Sequence, residues 1–266
     1  MNITETVKQL LIINILFFIG SYFVPTSYEF LALHYFESDK FKVWQPLTHM
    51  FMHGGIMHIA FNMFALYSFG SALEYRWGAK KFIFFYISCG LGAALLDSAF
   101  SYYEFHSVLN HINDLNISKT DLFKILDANM VSDNYYRADL LYENSKQILE
   151  KYQINQDDFL VLYEAAKINQ STAVGASGAI YGLLVAFAFL YPNAELALMF
   201  IPVPIKAKYF VPGILVIDLV LGLKGNSIFG DGGTGIAHFA HLGGAICGYL
   251  MMWYWKKNQF NDKRWN

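Results

Sequence analysis

The stretch AVGASGAIYGLLVAFAFLY, residues 173–191, carries no charged side chain and sets a serine among glycines at the head of an apolar run. Crossing a bilayer takes about 20 such residues. A helix of this length on a soluble domain would show a polar face, so lipid or a fully buried core is the solvent that the run predicts. The whole chain agrees. Its 266 residues are 55% hydrophobic, 18% aromatic and 15% charged, whereas soluble domains carry about a quarter charged residues. Such a composition excludes disorder, and a formal net charge of −2 supplies no basic field for nucleic acid. Cys89 and Cys247 both sit inside apolar runs and form no disulfide framework of the small secreted kind.

Working outward from this stretch, five further runs read as spans: 7–24, 56–75, 82–102, 209–223 and 237–255. The run at 209–223 is the weakest, being short and holding Pro212 and Asp218. The first has a single Lys before its core and no small-x-small site before Pro25, which favours an uncleaved span over a signal peptide. Positive charge marks one side. Arg76, Lys80 and Lys81 follow the second run, Lys206 and Lys208 separate the fourth and fifth, and Lys256, Lys257, Lys263 and Arg264 follow the sixth. With six spans all of these share one side, which places both termini in the cytoplasm; a bacterial inner membrane is the expected location.

Residues 102–171 are a different kind of sequence. They hold 11 acids and six bases, against 23 charges in the rest of the chain. Residues 120–130, 139–152 and 157–168 space apolar side chains helically behind capping-type residues. The expected organisation is therefore spans one to three in 1–101, an extracytoplasmic helical insert in 102–171, and spans four to six with a short tail in 172–266. The fold class is all-α.

Polar side chains inside spans are costly, so each one is a functional candidate. His58 and Asn62 lie four apart on one face of the second span. Ser177 and Tyr181 do the same on the fourth, flanked by Gly175, Gly178 and Gly182. On the sixth, His241 shares a stripe with Gly244 and Gly248, a small-xxx-small pattern that permits close helix approach. A serine becomes a nucleophile when a base about 2.6–3.2 Å away takes its proton. Close packing of the fourth and sixth spans would make His241 that base, with Tyr181 buttressing its ring, though alone His241 reads equally as a helix-packing histidine. His58, Asn62 and the Ser177 N–H are donors of the kind that an oxyanion needs.

These motifs resemble, in order, those of the rhomboid family of intramembrane serine proteases. His58 and Asn62 match its His-x-x-x-Asn, and Gly175, Ser177, Gly178 and Tyr181 match its Gly-x-Ser-Gly with a tyrosine one turn on. Ala240, His241, Gly244 and Gly248 match the motif of its last core span, and Gly70, Glu74 and Gly78 match a further stretch. The resemblance covers about residues 40–102 and 172–255. It implies a six-helix bundle, a Ser177–His241 dyad that cleaves transmembrane segments of membrane proteins near their outer ends, and no metal, ATP or other cofactor. One departure stands in the first loop, where Trp44-Gln45 replaces the family's Trp-Arg and puts the usual bracing in doubt.

Rival readings attach to several residues. A catalytically silent relative that binds transmembrane helices is the alternative function, and a transporter would need internal repeats that the sequence does not show. His49 and His53 stand four apart but lack a His-Glu-x-x-His context, so a loop-structuring role is expected rather than zinc. His238 reads as a packing histidine or as lining the approach to the site. Asp97 and Asp218 read as solvated residues near outer span ends, Glu74 as pairing with Arg76, and Asn226, Ser227, Asp231 and Thr234 as part of a cap over the site.

Overall fold

A chain in lipid must pair its backbone groups within each segment, and helices do so. The computed structural model is accordingly mostly helical; it describes residues 2–112, 115–132, 135–198, 201–223 and 236–258. Helix α1 (Glu5–Phe23) starts against Glu74, whose carboxylate accepts from the Thr6 and Val7 N–H groups at 3.1 and 2.9 Å and from the Thr4 hydroxyl. An acid at a helix N-terminus satisfies donors that the helix leaves open. Glu74 therefore caps the first helix instead of serving Arg76 as expected.

The first loop follows, with α2 (Thr26–Leu31), strand β1 (Leu33–His34) and the short helix α3 (Gln45–Thr48). Gln45 is fully buried there. Its Oε1 accepts from the Lys42 N–H at 3.0 Å and its Nε2 donates to the Lys40 carbonyl at 3.1 Å, while Trp44 Nε1 donates to the Phe30 carbonyl at 2.9 Å. The amide thus braces the loop that the sequence had left in doubt.

The second apolar run becomes α4 (Ile56–Ala65), one π-helical turn at 66–70, and α5 (Ser71–Trp77). Next, α6 (Ala79–Ile112) runs 34 residues. At 1.5 Å per residue that is about 50 Å, beyond a hydrocarbon core of about 30 Å, so the helix outlasts its apolar part and enters the insert. Among the described residues three helical stretches, Glu5–Phe23, Ile56–Trp77 and Ala79–Ile112, are long and apolar enough to cross a membrane.

The insert folds as α7 (Lys119–Leu126), a two-residue strand pair β2 (Val131–Ser132) and β3 (Tyr135–Tyr136), α8 (Ala138–Lys151) and α9 (Gln156–Gln170). Ser118 and Asn155 cap α7 and α9 by accepting the Asp121 and Asp158 N–H groups. Helix α7 stops at Leu126, short of the expected 130, because Gln170 Nε2 takes the Leu126 and Ala128 carbonyls at 2.7 and 2.9 Å. Ile125, Leu126, Met130, Leu141, Leu149 and Leu162 make a buried core of their own with Phe105 and Ile112 of α6.

Strand β4 (Thr172–Ala173) pairs antiparallel with β1 and brings the chain back beside the first loop. Helix α10 (Ser177–Leu190), the hairpin β5 (Glu195–Leu198) and β6 (Ile201–Lys206), α11 (Ala207–Leu223) and α12 (Ile236–Asn258) complete the described chain. Three small sheets thus interrupt an architecture expected to be purely helical. Helices α6, α10 and α12 form the centre, and glycine brings them together. A Cβ on Gly244 would collide with the Gly178 carbonyl, and one on Gly248 would sit 2.8 Å from the Gly182 Cα.

Candidate active site

Residues 173–176 were expected inside the fourth span, yet α10 begins only at Ser177. Gly175, at φ +123, holds a left-handed backbone that an ordinary L-residue resists, and its N–H donates to the His49 carbonyl at 2.9 Å. The turn leaves Ser177 as the first helical residue. Its own N–H is one of the donors that a helix start leaves open.

The contact of Gly244 with Gly178 draws α12 onto α10 one turn from His241. Its Nε2 lies 2.9 Å from Ser177 Oγ, across 64 positions of sequence. Tyr181 stacks on the imidazole with ring centroids 4.2 Å apart and planes 10° off parallel. The structure therefore brings Ser177, His241 and Tyr181 together.

On the other side of Gly175 stand His58 and Asn62. A Cβ at Gly175 would come within 2.7 Å of His58 Nε2 and 3.6 Å of Asn62 Nδ2, so only glycine leaves this space open. The Gly54 N–H donates to His58 Nδ1 at 3.4 Å. In the neutral ring that leaves Nε2 as the donor, a tautomer assigned from the hydrogen-bond pattern. Asn62 is 5% exposed, and its Nδ2 has no hydrogen-bond partner among the described residues. Two side-chain donors thus border the space next to the serine.

His49 and His53 support this wall. His49 Nδ1 lies 3.0 Å from the Gln45 carbonyl, and His53 meets His58 edge-on at 5.1 Å. Burial pushes both imidazoles down to about 4, so they are neutral near pH 7.

The sequence reading missed Asp218. Expected to be solvated, it is 1% exposed, and its Oδ1 lies 2.6 Å from His238 Nδ1 and 3.4 Å from His241 Nδ1. His238 is 3% exposed and bonded to this acid rather than lining an approach. Asp97 is likewise buried, at 4% exposed, rather than solvent-facing. Among the described residues Asp218, His238 and His241 are the side chains close enough to share a cation, with one atom of each within 4.8 Å of the others. Both imidazoles face the one oxygen, Asp218 Oδ1, and not each other. The signal that could have found the acid was its place as the single charge in the run 209–223. The expected cap residues Asn226, Ser227, Asp231 and Thr234 lie outside the described residues, as do Lys263 and Arg264.

The Rhomboid domain family matches residues 40–108 and 159–258. An uncharacterised mitochondrial rhomboid protein of Schizosaccharomyces pombe is 26% identical over 224 residues, covering 80% of this chain and 52% of the relative. The chain spans about half of that relative's length. Rhomboid protease GluP of Bacillus subtilis is 38% identical over 60 residues, 23% of this chain and 12% of the relative. Rhomboid protease GlpG of Salmonella newport is 39% identical over 62 residues, 23% of this chain and 22% of the relative.

Proposed function

This chain belongs to the rhomboid family of multi-pass membrane proteins, and from that premise we propose that it is an intramembrane serine endopeptidase acting on transmembrane segments of other membrane proteins. The observation that carries the reading is the 2.9 Å contact of Ser177 Oγ with His241 Nε2. An isolated serine hydroxyl is a poor nucleophile, and a positioned imidazole removes that limit.

In the proposed reaction Ser177 Oγ attacks the scissile carbonyl carbon while its proton passes to His241 Nε2. The carbonyl oxygen gains the negative charge and takes hydrogen bonds from His58 Nε2, Asn62 Nδ2 and the Ser177 N–H. Donors already aimed at that charge contribute about 3–4 kcal/mol each in comparable sites. The tetrahedral adduct collapses, His241 gives its proton to the leaving amine, and an acyl-enzyme remains. Water then attacks the ester with His241 again as base, which frees the carboxylate product and restores the serine.

The six helical runs are read as six spans, with both termini on the side of Arg76, Lys80, Lys81, Lys206 and Lys208. In a bacterial inner membrane that side is the cytoplasm, and the 102–171 insert then lies outside it. The test uses purified protein and a single-span reporter substrate. Ser177→Ala is expected to remove cleavage and fluorophosphonate labelling, a loss of at least about 10³-fold. Equal cleavage by wild type and variant would end the proposal. Protein that binds the reporter but neither cleaves it nor takes the label would support a silent helix binder.

A further inference from the structure

A histidine that accepts a proton on Nε2 must hold a hydrogen on Nδ1, and its ring must not turn away. The stack on Tyr181 fixes the plane of His241 but not its tautomer. Asp218 supplies what the stack does not. Its Oδ1 stands on the Nδ1 side at 3.4 Å, from a helix that neither Ser177 nor His241 occupies. Taking the protease reading as given, we infer that Asp218 is a positioning residue that turns the expected dyad into a Ser177–His241–Asp218 triad, with His238 competing for the same carboxylate oxygen.

The two distances carry the argument. His238 holds Oδ1 at 2.6 Å and is almost wholly buried, while the half-buried His241 holds the longer contact. Oδ2 has no hydrogen-bond partner among the described residues. The Tyr181 hydroxyl also reaches this carboxylate, and an oxygen shared by two imidazoles can shift its weight between them. When the serine proton arrives at Nε2, His241 becomes a cation. Attraction to Asp218 then rises, and a bond that is long at rest can tighten as the charge forms. Other titratable groups meet this assembly from each neighbouring element: Tyr181 from α10, His58 from α4, and Asp97 of α6 beside Ala240.

The arrangement predicts pH shifts of opposite sign for two substitutions. Nearby negative charge favours a protonated imidazole, and a donor shared by the same oxygen weakens that effect. Asp218→Asn should therefore move the acid limb of kcat/KM, and of fluorophosphonate labelling, to lower pH. It should cut kcat roughly 10- to 100-fold with KM held within about two-fold. His238→Leu, which removes the competing donor, should move the same limb to higher pH.

Full-length protein in liposomes, with the reporter substrate and the fluorophosphonate probe, gives both readouts. A purely structural role for Asp218 would lower the amount of active protein without moving either limb. Asp218→Asn with kcat within two-fold of wild type, or with an unmoved limb, overturns the inference. Should that variant fail to fold, His238→Leu decides alone: a limb moved to higher pH supports the inference, and a limb unmoved or moved to lower pH overturns it. Wild type that cleaves while Ser177→Ala does not leaves the protease reading standing whichever way Asp218 falls. Failure of that first comparison removes the reading and this inference together.

Discussion

The α6–α10–α12 centre and the α7–α9 insert are both helical, yet they are held together by opposite means. At the centre the helices meet through Gly178, Gly182, Gly244 and Gly248, where an added methyl group has nowhere to go. In the insert they meet through Leu126, Leu141, Leu149 and Leu162, with capped ends and surface ion pairs such as Lys151–Asp121 at 2.6 Å. Lipid gives apolar side chains no reason to leave it, so association there depends on close van der Waals fit. Water drives large aliphatic side chains inward whatever their fine shape. The centre should accordingly fail through small additions of volume, and the insert through removal of volume.

The sharpest way to break this contrast is Gly244→Val. The side chain collides with the Gly178 carbonyl and forces α12 off α10, parting Ser177 from His241. Misplacement of about 1 Å costs about 100-fold in rate; a loss of at least that size in fluorophosphonate labelling is expected. An unchanged labelling rate would show that the helices have slack there.

Leu141→Ala makes the complementary cut. It removes a fully buried insert side chain, and such truncations cost about 2–5 kcal/mol. Amide exchange across 119–170 should quicken, while the labelling rate of Ser177 stays within about two-fold. A large fall in labelling would mean that the two regions share one stability.

The smallest effect concerns their junction. Burial, with Glu164 close by, pushes the Glu104 carboxyl up to about 7, against an opposing pull from Lys167. A carboxyl raised in the folded state contributes stability below its ordinary value of about 4, and that stability is lost as pH climbs through about 7. Between pH 5 and pH 8 protection from exchange, taken relative to the intrinsic base-catalysed rate, should fall at the end of α6 and along α9, and Glu104→Gln should flatten that fall. A slope that persists in the variant would assign it to another group.

Much of this was legible before any coordinates. Apolar runs locate every long helix of the centre, because in lipid hydrophobicity alone is a sufficient signal. Spacing of four puts His58 with Asn62 and Ser177 with Tyr181 on shared faces, and the glycine stripe says which face of α12 carries His241 forward. What stayed hidden depends on relations between helices. Nothing local distinguishes a buried Asp218 from a wet one, since its neighbours on α12 are 20 and 23 residues away. Gln45 looked like a defect because the sequence shows the lost guanidinium but not the carbonyls that its amide reaches. The late start of α10 follows from one dihedral angle at Gly175, and glycine permits such an angle without announcing it.

Helix α6 runs from Ala79 to Ile112 with no proline and no break in its hydrogen bonding. A rod without a joint cannot be tilted at one end alone. Ala93, which a Cβ on Gly178 would strike, and Phe105, in the core of the insert, are set on the same axis about 18 Å apart. A change in the tilt of α6 at its insert end would therefore be felt one residue from the serine, whereas a loss of packing that leaves α6 in place would not.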